Sequence, residues 1–281
     1  LCVFAVEMKN TEKKAYQGMS EIGEDQNTEV ENKDNSQYID MDLAKEIEAY
    51  FQENGIDHEK VAYCITDLEH NIKYSMNEKD EFIAASIYKL PLAMLYYDKV
   101  NDGEYTLDST FTYSGYMHED AGVINSNYGI GSQIPLSDLL DDLIEYSDND
   151  AGHILYENLG GWKEYKEAMT KYTDFISENY YTEDNVSTAN TMNDVVTYLY
   201  EHKEDYKDLI ENMEKAEPGE YLDRDTQLSM PQKYGMYDSA LNSVGFVECN
   251  TSYSIVVLTD LGNKGADVMA NINRIAYEHF K

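Results

Sequence analysis

The sequence predicts an α/β chain of the α+β kind: an antiparallel sheet flanked by helices, with an all-α part beside it. Three observations carry this. Residues 61–82 (VAYCITDLEHNIKYSMNEKDEF) alternate like two strands joined by a turn near His70 and Asn71. Residues 232–260 alternate through three further runs, broken near Asp238 and Asn250. Almost everything between them has helical spacing.

Taken in order, MDLAKEIEAYFQENG (41–55) places apolar residues on one helical face and ends at Gly55, a helix with a C-terminal glycine. After the hairpin, EFIAASIYKLPLAMLYY (81–97) turns from polar to apolar nearly all round, which predicts a helix buried in the core with Ser86 at its start. Residues 101–131 are rich in Gly and Asn turn signals, and Gly129-Ile130-Gly131 is a turn rather than a phosphate loop. Leu136 to Leu159 reads as helix, break and helix, the break lying at Tyr146-Ser147-Asp148-Asn149 and the end at Gly160-Gly161. Further helices are predicted over 162–172, 191–203 and 205–216, and an amphipathic one over 267–280 closes the chain. The folded part is therefore expected over 38–281. Residues 38–101 and 217–281 would form its α/β part and 102–216 its helical part, with a site in the cleft between them.

The 281 residues suit one large domain or two closely packed ones, and 42% hydrophobic content suffices for a sizeable core. Lys plus Arg number 21 against 55 Asp plus Glu, a net charge of −34 that repels nucleic acid and anionic membrane surfaces; no nucleic-acid partner is expected. The 26 tyrosines against 4 prolines have no physical account beyond half-buried strand and helix faces. Cys2, Cys64 and Cys249 show neither C-x-x-C spacing nor a neighbouring His, so neither a disulfide framework nor a metal site is expected, and Cys64 and Cys249 read as buried free thiols. The other histidines, His58, His70, His118, His202 and His279, lack metal-ligand spacing, and no cofactor is called for. LCVFAV at the start reads as the end of a signal or anchor segment, and the acidic, aperiodic stretch over 9–36 as a flexible tether; 1–37 is thus set apart from the folded part. An exported, extracellular or cell-surface monomer tethered to a membrane or surface through its N-terminus is the expectation.

Three short pieces carry chemistry. Ser86-Ile87-Tyr88-Lys89 is an S-x-x-K; one helical turn separates its two functional side chains, a hydroxyl and an amine able to activate it. Ser147-Asp148-Asn149 is an S-D-N, and Lys233-Tyr234-Gly235 matches a K-[T]-G in the first of the final strands. Singly, each has a bland reading: an N-capping Ser beside a solvated Lys, a helix-capping turn, an edge-strand charge. In this order and setting they resemble the class A β-lactamases and penicillin-binding proteins, a β-lactamase/transpeptidase-like fold, over about 38–281. AASIYKLP and SDNDAGHILYENLGG, flanking the first two motifs, are also similar.

The resemblance implies a serine hydrolase that opens β-lactam-type cyclic amides through an acyl-Ser86 intermediate. Lys89 would be the base, its pKa lowered by burial and by Lys233 as a second cation. Lys233 would also hold the substrate carboxylate, Ser147 would pass a proton to the departing nitrogen, and Asn149 would orient the substrate amide and Lys89. The backbone N–H groups of Ser86 and Met236, the latter following Gly235, would form the oxyanion hole.

Four departures qualify this. Tyr234 stands where Thr or Ser is usual, its side chain expected on the face of the sheet away from Lys233. No E-x-x-L-N segment follows the S-D-N, so the glutamate that activates water for deacylation is missing; Glu178 and Glu183 read as solvated loop carboxylates. His153 replaces an Asn that braces that loop, and no substrate-gripping arginine follows Met236. Slow deacylation is expected. The alternatives are a D-alanyl-D-alanine peptidase or esterase (a penicillin-binding protein on cell-wall peptides), and a non-catalytic surface binding module.

Overall fold

The structure, a computed structural model, describes residues 36–119, 122–226 and 228–281. The stub and tether lie, as far as residue 35, outside the described residues, as does Cys2. The unit Gln37–Lys281 holds everything below.

Helix α1 (Ser36–Asn54) ends at Gly55, whose φ of +62° is the left-handed geometry a C-terminal glycine supplies. Strands β1 (Val61–Asp67) and β2 (Ile72–Met76) form the expected hairpin. The Asp67 carboxylate closes its turn by accepting the Glu69 and His70 N–H groups, and Asn71 takes φ +55°. The two-residue strand β3 (Phe82–Ile83) then leads into a 3-10 turn (Ala85–Tyr88) and helix α2 (Lys89–Asn101). Ser86 therefore lies in the tighter turn preceding the α-helix, not in the helix predicted from its sequence.

The loop-rich stretch contains β4 (Thr110–Thr112), α3 (Val123–Asn127) and β5 (Gln133–Pro135), with β4 paired to β5. Helices α4 (Leu136–Glu145) and α5 (Asn149–Asn158) flank the predicted break, and Gly160 and Gly161, both at φ +115°, precede α6 (Trp162–Met169). The latter stops three residues before the expected end, where 170–172 tighten into a 3-10 turn. After β6 (Val186–Ser187) come α7 (Ala189–Glu201), α8 (Lys207–Lys215), β7 (Gln232–Tyr237), β8 (Ala240–Val247), β9 (Tyr253–Asp260) and α9 (Lys264–Phe280).

The five long strands form one antiparallel sheet in the order β2-β1-β9-β8-β7, so the first hairpin pairs with the last strand. Alternation assigns each side chain to a face. Val61, Tyr63, Ile65, Ile255 and Val257 meet α1 and α9 in one core. Ala62, Cys64, Val244, Val256 and Leu258 open a second core that continues through α7 into α2, α4, α5 and α6. Cys64 is fully buried, and burial pushes its thiol up to about 12; Cys249 is only half-buried, which corrects the expectation of two buried thiols. No helix among the described residues is long and apolar enough to cross a membrane, and no cluster among them is suited to a metal.

Candidate active site

The segment that delivers Ser86 is held from two sides. From the sheet, buried Asn242 on β8 donates its side-chain amide to the carbonyls of Ile83 (2.8 Å) and Ala84 (3.0 Å), while its own oxygen accepts the Thr259 N–H. From the loop after α6, Asn185 donates to the Ala85 carbonyl at 2.8 Å, and its main-chain oxygen accepts the Ala84 N–H at 2.9 Å. Ala85 is thereby kept at φ +51°, a conformation that costs an L-residue about 1–3 kcal/mol and persists only where surroundings impose it. Neither asparagine was singled out from the sequence, because a lone Asn far along the chain carries no motif.

Lys89 is wholly buried, and all its hydrogen bonds end on the second motif: the Ser147 carbonyl at 2.6 Å, the Ser147 hydroxyl at 3.3 Å and Asn149 Oδ1 at 2.6 Å. The turn that presents these oxygens is also strained, Ser147 having φ +55°. Buried Asp148 stabilises it as the N-cap of α5, its carboxylate accepting from Ala151 and Ile124 N–H groups. Gly152 is required by packing, since a methyl there would lie 2.6 Å from the Tyr88 hydroxyl and 3.4 Å from Lys89 Cε. Burial drags the Lys89 ammonium down to about 7, against the opposing pull of the Asp148 and Glu119 carboxylates.

The third motif lies on edge strand β7. Lys233 is wholly buried, not an exposed edge charge; it donates to the Tyr234 carbonyl at 2.9 Å. Its amine sits 4.3 Å from the centre of the Tyr234 ring, which in turn stacks on Tyr221. The tyrosine ring thus lies against the lysine amine, where the sequence placed it clear of Lys233. Burial first, and the Lys89 cation second, hold Lys233 well below the usual lysine range. Burial is the larger cause at both lysines, and the repulsion between the two ammonium groups, being mutual, disfavours the charged form of each. At Gly235 a methyl would lie 2.6 Å from the Ser86 nitrogen and 2.8 Å from the Ile87 nitrogen. Only glycine lets the strand run this close to the backbone of Ser86. Met236 follows at once, its side chain 60% exposed.

Beside this junction opens a cleft of about 530 Å³ lined by Ile83, Ala85, Glu183, Asp184, Val186 and Tyr237, with Asn185 between the last loop residues. All three motifs and the loop after α6 thus converge on the start of α2.

The comparisons with known proteins agree with this geometry. The family model described as the β-lactamase enzyme family matches residues 42–280. The chain belongs to the β-lactamase enzyme family. Its fold is shared with PBP-A, of which a mutant was solved as an acyl-enzyme complex with penicillin G (16% identity, TM-score 0.73, covering 85% of this chain and 96% of that one). It is also shared with a β-lactamase from Chitinophaga pinensis (22% identity, TM-score 0.69, 85% and 98% covered) and with an ancestral class A β-lactamase (18%, 0.72, 85% and 100%). A serine hydrolase of the β-lactamase kind, with the α/β architecture expected, is what family and fold together establish.

Within this β-lactamase-family chain the departures acquire positions. Exposed Glu183 borders the cleft together with Asp184, whereas exposed Glu178 is not among its lining residues. His153 approaches Glu119 (3.3 Å) and Glu157 (3.8 Å) and stacks on Tyr156. Its Nδ1, though near Glu119, is out of line for a hydrogen bond. The chain's two arginines are engaged elsewhere, Arg224 with Asp225 and Asp267, Arg274 with Asn271.

Proposed function

We propose that this chain is acylated on Ser86 by β-lactam-type cyclic amides and releases the acyl group slowly. The observation that carries this is the donor count at Lys89. Two of its partners, the Ser147 carbonyl and Asn149 Oδ1, only accept, while the third, the Ser147 hydroxyl, also donates. A neutral amine has two N–H groups, enough for the two acceptors, and one lone pair. With a pKa lowered to about 7 the neutral form is well populated at neutral pH, its lone pair met only by a hydroxyl that can turn away, so it is able to take a proton.

The residues then divide the work. Lys89 removes the Ser86 proton as the hydroxyl oxygen attacks the carbonyl carbon; the C–N bond breaks, and the departing nitrogen receives a proton through Ser147. Lys233 attracts the substrate carboxylate, Asn149 orients the substrate amide, and Gly235 admits the close approach that lets the Ser86 and Met236 N–H groups face the oxyanion. One such donor contributes about 3 kcal/mol to the transition state. Deacylation lacks the family's inward glutamate, and the carboxylates on the cleft wall are exposed. The same feature supports a second reading, in which the acyl donor is a D-alanyl-D-alanine cell-wall peptide and β-lactams act as trapped mimics, as the acyl-enzyme of PBP-A illustrates for that protein. Membership of the family supports an exported chain.

Intact-protein mass after incubation with a penicillin, for wild type and Ser86→Ala, tests this. A persistent adduct absent from the variant is expected. Rapid drug hydrolysis without an adduct would overturn slow deacylation, and neither adduct nor hydrolysis would overturn acylation by β-lactams altogether, leaving a substrate they do not mimic or a non-catalytic binding module.

A further inference from the structure

A third buried lysine lies outside all three motifs. Lys166 on α6 is 2% exposed, and its ammonium donates to three main-chain oxygens of the loop that walls the cleft: Tyr180 (2.6 Å), Thr182 (2.8 Å) and Asp184 (2.6 Å). The Trp162 and Tyr180 rings flank it at 5.1 and 5.2 Å. Carbonyl oxygens only accept, so three of them require three N–H donors, which lysine has only as the ammonium. Directly after Asp184 comes Asn185, whose side chain and carbonyl grip Ala85 and Ala84. Next follows β6, which pairs Val186 with Ile83 and Ser187 with Phe82. The grip on the nucleophile's turn is therefore built on a loop whose other side is pinned by one cation.

We propose that Lys166 is a positioning residue for Ser86: by fixing the carbonyls of 180–184 it sets Asn185, and through Asn185 it holds Ala85 in the left-handed conformation that presents the serine. It supplies the bracing of this loop that His153, turned toward Glu119, does not provide. The inference rests on Ser86 being the nucleophile, so the test has an arm that does not need acylation.

Full-length Lys166→Met, Lys166→Arg and Asn185→Ala would be compared with wild type by single-turnover acylation with a chromogenic cephalosporin, separating the binding constant from the acylation rate constant. Ile272→Ala, in the core on the far face of the sheet, serves as a control for general destabilisation. Lys166→Met is expected to lower the acylation rate constant at least tenfold with little change in binding, and Lys166→Arg to recover most of the loss. Asn185→Ala should lower it similarly, and the double variant should be no worse than the poorer single one. In parallel, amide exchange of peptides covering 82–86 should accelerate in Lys166→Met and not in Ile272→Ala. Should Lys166→Met not fold, Lys166→Arg and Asn185→Ala carry the same comparison. Unchanged exchange over 82–86 in a folded Lys166→Met overturns the proposal whatever the enzyme's activity. So does an acylation loss no larger than that of Ile272→Ala. If wild type itself is not acylated, the nucleophile assignment fails, and the exchange arm still decides whether Lys166 holds the turn.

Discussion

Lys89 and Lys166 are both buried, both reach three oxygens, and both are lowered by burial, yet their surroundings assign them opposite chemistry. Around Lys166 every partner is a carbonyl, so losing a proton would leave a buried acceptor unpaired, a cost of about 1–3 kcal/mol. Around Lys89 one partner is a hydroxyl that reverses its role when the amine gives up a proton. Burial alone therefore does not make a lysine a base. The protonic character of its third neighbour decides.

The sharpest way to break this comparison is Lys89→Met. Loss of a general base lowers acylation by about 10²–10⁴-fold, to be read in single-turnover kinetics; a loss under tenfold would remove Lys89 from that role. The same variant should melt higher than wild type at pH 7 or below. A lysine whose pKa falls from 10.5 unfolded to about 7 folded leaves the unfolded chain holding more protons between those values, so stability rises with pH across that window. The cost of burying the cation is thus present in full below about pH 7 and fades above it. The melting advantage of Lys89→Met should narrow as the buffer is taken from pH 7 toward 10; an advantage that widens would contradict the assignment.

Wild-type acylation gives the next effect. Its rate constant should climb about tenfold per pH unit below 7 and level off above, following the neutral fraction of Lys89; a profile flat from pH 5 to 8 would argue for another base.

Gly235→Ala ranks third. Its methyl would press on two backbone nitrogens that cannot swing aside, a strain of about 1–3 kcal/mol. Lower thermal stability should accompany slower acylation, and a variant acylating at the wild-type rate would show that β7 does not need this close approach.

The mildest effect is expected from Tyr234→Thr. It removes the ring over Lys233, a contact of about 0.5–2 kcal/mol, and should register as a modest drop in melting temperature with acylation retained. Abolished acylation would mean that the ring, not only the lysine, takes part in the site.

Sequence by itself determined the three motifs, the helices either side of the Ser147 break and the five long strands. Each of these is written locally, in a spacing of 3.6 or 2 or in a run of adjacent residues. It also determined what is missing, the loop glutamate, because an absent motif is as local as a present one. Only the tertiary structure decided what holds the turn that carries Ser86. Asn242, Asn185 and Lys166 lie 156, 99 and 80 positions beyond Ser86 (242 − 86, 185 − 86 and 166 − 86) and act through main-chain carbonyls, which every residue possesses and no sequence pattern marks. The 3-10 turn at Ser86 was equally illegible: its apolar run suits an α-helix, and the tighter geometry is imposed by Asn242 from the sheet and Asn185 from the loop. Burial of Lys233 on an edge strand was decided the same way, by a tyrosine ring and a packed turn that close over a position the strand pattern leaves open to water.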